Sequence, residues 1–442
     1  MLKRLTPGLR IALLFTLLFD VQAGSQTVQP IETSLARQYF QEAKSASEAD
    51  QRHLWNVVLY GPMLFVEPDS RFVVANQADG KGLLRQEGDV YIGKLPDDVV
   101  VGNTATKWAG VTWTMVMWPL PADRRERARL MTHELFHRIQ DSIGLPASNP
   151  TNRHLDSQDG RTWLRMEWRA LERALYEEGA LRRQATADAI YFRRYRESLF
   201  PQALADENAL ETNEGLAEYT GIRLSSRSEA ECFARAAYAL NNAASRQTFT
   251  RSFAYANGPA YGLLLDAARV NWRRNLKAGA DLSALLQKAT RIKVPALSAA
   301  GAVSRSARYD GDEVIAAEGV REKKRLEGLA KYRSRLVEQP VLVLPVGESF
   351  NYSFNPNNVI AFDDLGLVYP TARVTDGWGI LEVSDGLLMF RDGNKINKLQ
   401  VAAPTDLQAR PLQGPGWKLT LAEGWMLAPG ERKGDFVLRK EK

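Results

Sequence analysis

The rhythm of hydrophobic and polar positions changes three times along the chain. Residues 35–46 carry apolar side chains at helical spacing, which predicts a helix. Between His53 and Trp118 the apolar residues gather in short runs, at 55–60, 63–66, 71–76 and 111–118, with Pro and Gly between them; such runs predict strands. In the last of these, Thr112, Thr114 and Val116 alternate with Val111, Trp113 and Met115, so a sheet with two distinct faces is expected. Such a sheet offers either a core strand or an edge to which an extended peptide pairs. From 124 to about 293 the helical period returns. A long charged helical stretch is expected over 161–200, with further helices at 211–223 and 229–241. Another is expected to open at Gly258-Pro259, because proline at the first turn sacrifices no hydrogen bond. A highly charged helix is expected over 312–339. Beyond Pro340 short strands return, at 341–346, 379–383, 387–390 and 435–439, with Asp385-Gly386 and Asp392-Gly393 as hairpin turns.

This order implies an α+β protein. A sheet followed by helices fills 24–300, a charged helical connector spans 301–339, and a small β-rich unit spans 340–442. The first 23 residues have another character. Lys3, Arg4 and Arg10 surround or precede an apolar run at 11–19, and Val21-Gln22-Ala23 fits a cleavage site, so 1–23 is expected to be a secretory signal. The run is too short to span a bilayer comfortably. The expectation is a periplasmic or extracellular chain with no stable membrane anchor.

Charge and cysteine content add limits. The formal net charge is +6, and removing the three basic residues and one acid of the first 23 leaves +4. Basic and acidic residues interleave along the expected helices, which is the pattern of solvated faces, and no nucleic-acid partner is expected. Cys232 is the sole cysteine, so an internal disulfide is excluded and a buried small side chain is expected there.

Candidate chemistry centres on His133-Glu134-Leu135-Phe136-His137. On a helix, positions i and i+4 share a face, so His133 and His137 present two imidazoles to one zinc ion, and Glu134 stands beside them as a proton acceptor. Asp123 is placed to cap that helix. Catalytic zinc sites use three protein ligands and leave a position open. Asn213-Glu214-Gly215-Leu216-Ala217-Glu218-Tyr219 offers Glu214 as the third ligand, and Glu218, one turn on, as acceptor for a histidine's outer N–H. Glu167, Glu172 and His154 are rival third ligands closer in sequence. Tyr219, Tyr255 and Tyr261 are candidate donors to a developing oxyanion.

These two motifs resemble those of the gluzincin metallopeptidases, the clan of thermolysin and aminopeptidase N. The resemblance implies a zincin-like catalytic domain with one Zn2+ held by His133, His137 and Glu214, Glu134 as general base, and Glu218 supporting His133. Two departures stand out. Glu214 lies 77 positions beyond His137 (214 less 137), a long separation for that clan. The Gly-Ala-Met-Glu-Asn signature of the aminopeptidases is absent, with Trp108-Ala-Gly-Val-Thr-Trp113 in its neighbourhood. The function expected first is an exported zinc metallopeptidase acting on peptides or proteins. A zinc amide hydrolase of cell-wall material and a non-catalytic secreted binding protein with a structural metal site are the alternatives.

Overall fold

The computed structural model describes residues 30–96, 99–354, 358–362, 365–392 and 395–441. The expected signal at 1–23 and Gly393 of one expected turn lie outside them. Helix α1 (Thr33–Ala49) precedes six strands, β1 (Met63–Val66), β2 (Phe72–Ala75), β3 (Arg85–Glu87), β4 (Val90–Lys94), β5 (Thr104–Trp108) and β6 (Val111–Met117). They form one sheet in the order β3-β4-β2-β1-β6-β5, antiparallel except where β1 runs alongside β6. Strand alternation sends Met63, Phe65, Val74 and Val116 into a core shared with the helices. Leu64, Val66, Val73, Trp113 and Met115 enter a second apolar cluster on the other face. Burial on both faces is why these strands read as nearly continuous apolar runs. β6 is interior, flanked by β1 and β5, so the free edge beyond it belongs to β5.

The strand expected at 55–60 is absent. Asn56 adopts a positive φ of 57°, which breaks extended pairing. Trp55 instead packs against Phe136 and donates its indole N–H to Thr220 at 2.9 Å. The apolar run is satisfied by helices rather than by a sheet.

The helical part follows as α2 (Arg124–Ile139), α3 (Gln158–Tyr176), α4 (Gly179–Leu199), α5 (Ala203–Leu210), α6 (Leu216–Ser225), α7 (Glu229–Ala243), α8 (Ser252–Ala267), α9 (Leu282–Thr290), α10 (Ala299–Ser306) and α11 (Gly311–Arg333). The Asp123 side chain caps α2, accepting from the backbone N–H groups of Arg125 and Glu126 at 2.9 Å each. A π-helical turn, Glu211–Gly215, joins α5 to α6. Cys232 is buried on α7. Pro259 does not open a helix but lies inside α8. The lost backbone bond is tolerated where α8 meets the π turn, glycine to glycine: a Cβ on Gly258 would stand 2.3 Å from Gly215 Cα. Only paired glycines let two backbones approach so closely.

Behind that contact lies a sealed polar cluster. Arg196 bridges Glu167 (2.6 Å) and Glu207, and Arg193 holds Glu211 at 2.6 Å and Asn208 at 2.9 Å. Buried charges are tolerated when mutually paired in this way. α11 is tied to α3: the carboxylate of Glu318, fully buried, accepts from Arg161 at 2.7 Å and Arg165 at 2.8 Å.

Residues 341–440 form antiparallel sheets of seven and five strands around a separate apolar core. One parallel pair, Phe436–Lys440 beside Val341–Pro345, interrupts the pattern. The Asp385-Gly386 turn is not a hairpin. It passes from Gly379–Val383 in the five-stranded sheet to Leu387–Asp392 in the seven-stranded one. Leu336, just past α11, packs with Phe362, Val368 and Leu388 of the larger sheet. The molecule is mixed helix and sheet, as its patterning implies.

Candidate metal centre

α2 carries His133 and His137 one turn apart, with Met131, Leu135, Phe136 and Ile139 buried around them. α6 lies close against α2. Gly221 leaves room there, since a Cβ would come within 2.9 Å of the Arg129 carbonyl oxygen. That approach brings the π turn to the histidines. His133 Nε2 lies 3.1 Å from His137 Nε2, and Glu214 Oε2 lies 3.6 and 3.5 Å from those two nitrogens. Bonds of about 2.0–2.1 Å to a tetrahedral zinc place neighbouring donor atoms roughly 3.3 Å apart. Two imidazoles and a carboxylate at these separations therefore fit one zinc-sized cation, and the three form a possible metal-binding triad.

The electrostatics favour positive charge at the same point. Burial lowers the His133 pKa, but hydrogen bonds to Glu214 and Glu218 outweigh it and raise it to about 10. Glu214 is opposed by burial, yet His133, His137 and the Tyr255 hydroxyl hold it well below the usual carboxylate range. Burial raises Glu134 above its ordinary value, only partly offset by the two histidines. Glu134 Oε2 is buried and has no hydrogen-bond partner among the described residues, so this oxygen is free to accept.

Each proposed ligand is oriented from behind. His133 Nδ1 donates to Glu218 Oε2 at 3.0 Å, and Arg129 grips both oxygens of Glu218 at 2.7 and 2.8 Å. His137 Nδ1 donates to Gln140 Oε1 at 2.7 Å. Glu214 Oε1 accepts from Arg251 at 2.8 Å, leaving Oε2 toward the histidines. Tyr255 donates to Glu214 Oε2 at 2.6 Å, and its ring stacks on His133 with 5.6 Å between centroids.

The other candidates are placed elsewhere. Tyr219 donates to Asp266 at 2.6 Å and Tyr261 donates to buried Glu167 at 2.7 Å. Neither hydroxyl bonds to a member of the triad, whereas that of Tyr255 does, so of the three expected oxyanion donors Tyr255 is the one placed at the triad. His154 pairs with Glu207 at 2.7 Å, and Glu167 is bound to Arg196. Glu172 lines a separate open cleft with Arg165, Arg169 and Arg173. A second cleft, lined by Asp50, His53, Arg223 and Arg273, is likewise away from the triad. Among the described residues, neither cleft holds three metal-ligating side chains close enough to share one ion. Gln140, Arg129, Arg251 and Asn149 escaped the sequence reading. Gln140 and Arg129 had a signal, Gln140 three residues after His137 just past the end of α2 and Arg129 four before His133 on it. Arg251 and Asn149 had none, because loop and helix-entry positions reach the site only through the tertiary fold.

Comparison of the chain with protein-family models, with curated proteins and with solved structures finds no match to any of the three.

Proposed function

We propose that this chain is an exported zinc-dependent metallopeptidase with a zincin-like, gluzincin-type catalytic unit. The observation that carries the reading is the closure of His133 Nε2, His137 Nε2 and Glu214 Oε2 onto one point, beside a Glu134 oxygen with no partner among the described residues. A zinc ion held there supplies a Lewis acid for a peptide carbonyl and for water.

The protein's own groups do the rest. Glu134, with its raised pKa, accepts the proton of the attacking water and returns it to the departing amine, a task suited to a carboxylate poised nearer neutrality. The Tyr255 hydroxyl donates to the ligand oxygen of Glu214, so it stands at the site and would serve a developing oxyanion by exchanging that acceptor for it. Glu218 and Gln140 keep each histidine with its proton on Nδ1, so Nε2 remains a donor to the cation. The free edge of β5 gives an extended peptide a strand to pair with.

The deciding measurement is cleavage of a peptide library by metal-loaded protein with and without a chelator, alongside zinc content. Cleavage that stops with the chelator and returns with zinc is the expected result. Stoichiometric zinc without chelator-sensitive cleavage sinks the peptidase reading and leaves a metal-binding protein.

A further inference from the structure

Two of the three candidate ligands are oriented through chains of side chains that end on the same atom. From His137, Nδ1 donates to Gln140 Oε1 (2.7 Å), Gln140 Nε2 donates to Asn213 Oδ1 (3.0 Å), and Asn213 Nδ2 donates to Asn149 Oδ1 (3.0 Å). From Glu214, Oε1 accepts from Arg251 (2.8 Å), whose other nitrogen donates to Asn149 Oδ1 at 3.1 Å. The third ligand, His133, is served separately by Glu218 and Arg129.

The polarity of the first chain matters. A neutral histidine exposes a metal-binding Nε2 only if its proton sits on Nδ1. Gln140 accepts that proton only while its carbonyl, not its NH2, faces the ring. It keeps that orientation because its NH2 is taken by Asn213, and Asn213 keeps its own because its NH2 is taken by Asn149 at 3.0 Å and, more weakly, by Glu214 Oε1 at 3.4 Å. Each amide fixes the next, and a chain of donors must finish on an acceptor. Arg251, which has no acceptor atom, needs the same kind of partner. Asn149 lies outside the regular helices, between Gly144 and the short turn at Arg153–Asp156. Its side chain is exposed, so packing does not hold it there.

We propose that Asn149 is a positioning residue of the metal centre, an acceptor latch through which one loop sets the His137 tautomer and the Glu214 oxygen presented to the cation. This rests on the metal-centre reading above. The role asks only for an acceptor, so aspartate should serve and alanine should not.

The test is zinc affinity of the full chain by competition titration against a chromophoric chelator, for wild type, Asn149→Ala and Asn149→Asp, with thermal midpoints of the metal-free proteins in parallel. Asn149→Ala is expected to bind zinc about 10-fold more weakly, the lower end for loss of an outer partner. Asn149→Asp is expected to bind like wild type, and all three metal-free midpoints are expected to agree. Unchanged affinity in Asn149→Ala overturns the latch, and so does an Asn149→Asp protein as weak as the alanine variant. A wild-type chain that binds no zinc overturns the metal centre itself, and the latch with it.

Discussion

Glu134 Oε2 is sealed from solvent without a partner among the described residues, and a buried carboxylate oxygen left alone is costly. One turn on, Arg138 Nε is likewise buried without a partner among the described residues, and the proposed mechanism gives the Glu134 carboxylate the role of proton acceptor. Glu134→Gln is nearly isosteric and removes the proton acceptor. It is expected to retain stoichiometric zinc while turnover falls by about 10²–10⁴-fold; a glutamine variant with wild-type turnover removes Glu134 from the mechanism. Glu218 acts at one remove. Glu218→Ala takes away the acceptor of His133 Nδ1 and leaves Arg129 with only Glu126 among its carboxylate partners. Zinc affinity should drop by about 10–100-fold, read in the same chelator competition. His137→Ala should abolish stoichiometric binding, and unchanged zinc content rules that residue out as a ligand.

The π turn Glu211–Gly215 is the element on which the site depends, since it carries Glu214 and touches α8 through Gly215 and Gly258. Gly258→Ala drives a Cβ into the Gly215 backbone, with contacts of 2.3 and 2.4 Å that no rotamer relieves. Overpacking of this kind costs about 1–3 kcal/mol. Here it should also lower zinc affinity, because the same shift displaces Glu214; a variant that loses stability but binds zinc normally separates the two. At the start of the turn, burial raises the Glu211 pKa to about 7 although Arg193 opposes it. In the unfolded chain this carboxyl titrates near ~4.3. Between those values the native state holds a proton that the unfolded state has lost, so this group makes stability fall as pH rises from about 4.3 to about 7 and contributes no slope above that. Glu211→Gln, neutral throughout, should flatten that slope in denaturant midpoints taken across the range. An unaltered slope assigns it to other groups.

At the scale of the molecule, the helices with their sheet and the C-terminal sandwich have separate apolar cores, and α11 enters the first through Val314 and meets the larger sheet of the second unit in a further cluster with Leu329 and Tyr332. Its Glu318 is clamped by Arg161 and Arg165 while Leu336, just beyond it, packs on the sandwich. Glu318→Ala strands buried Arg161 short of one carboxylate, and breaking such a pair costs about 3–5 kcal/mol, measurable by denaturant unfolding. Zinc at 100 times its Kd should stabilise the unit that holds the triad by about 2.7 kcal/mol. Calorimetry is therefore expected to show one transition that moves with zinc and another, from the sandwich, that does not. A single transition moving as a whole would mean that α11 joins the two cores into one cooperative unit.

Local pattern carried much of this protein. The spacing of His133 and His137, the Asp123 cap, the strands at 63–66 and 72–75, and the change to β structure after Pro340 are all legible in residues a few positions apart, because helical and strand periods are local properties. Even the pairing of Glu214 with the histidines could be anticipated from a second short motif. What only the tertiary structure decided was where side chains separated by long stretches finish. Trp55 is drawn from a strand into a helix interface, Pro259 is held inside a helix by a glycine contact, and Tyr219 and Tyr261 are turned to Asp266 and Glu167 while Tyr255 faces Glu214. The hydrogen bonds that orient the triad from Arg251 and Asn149 belong to the same class. Such outcomes depend on which surfaces meet when helices cross, and crossing is set by the packing of the whole core, which no short window of sequence contains.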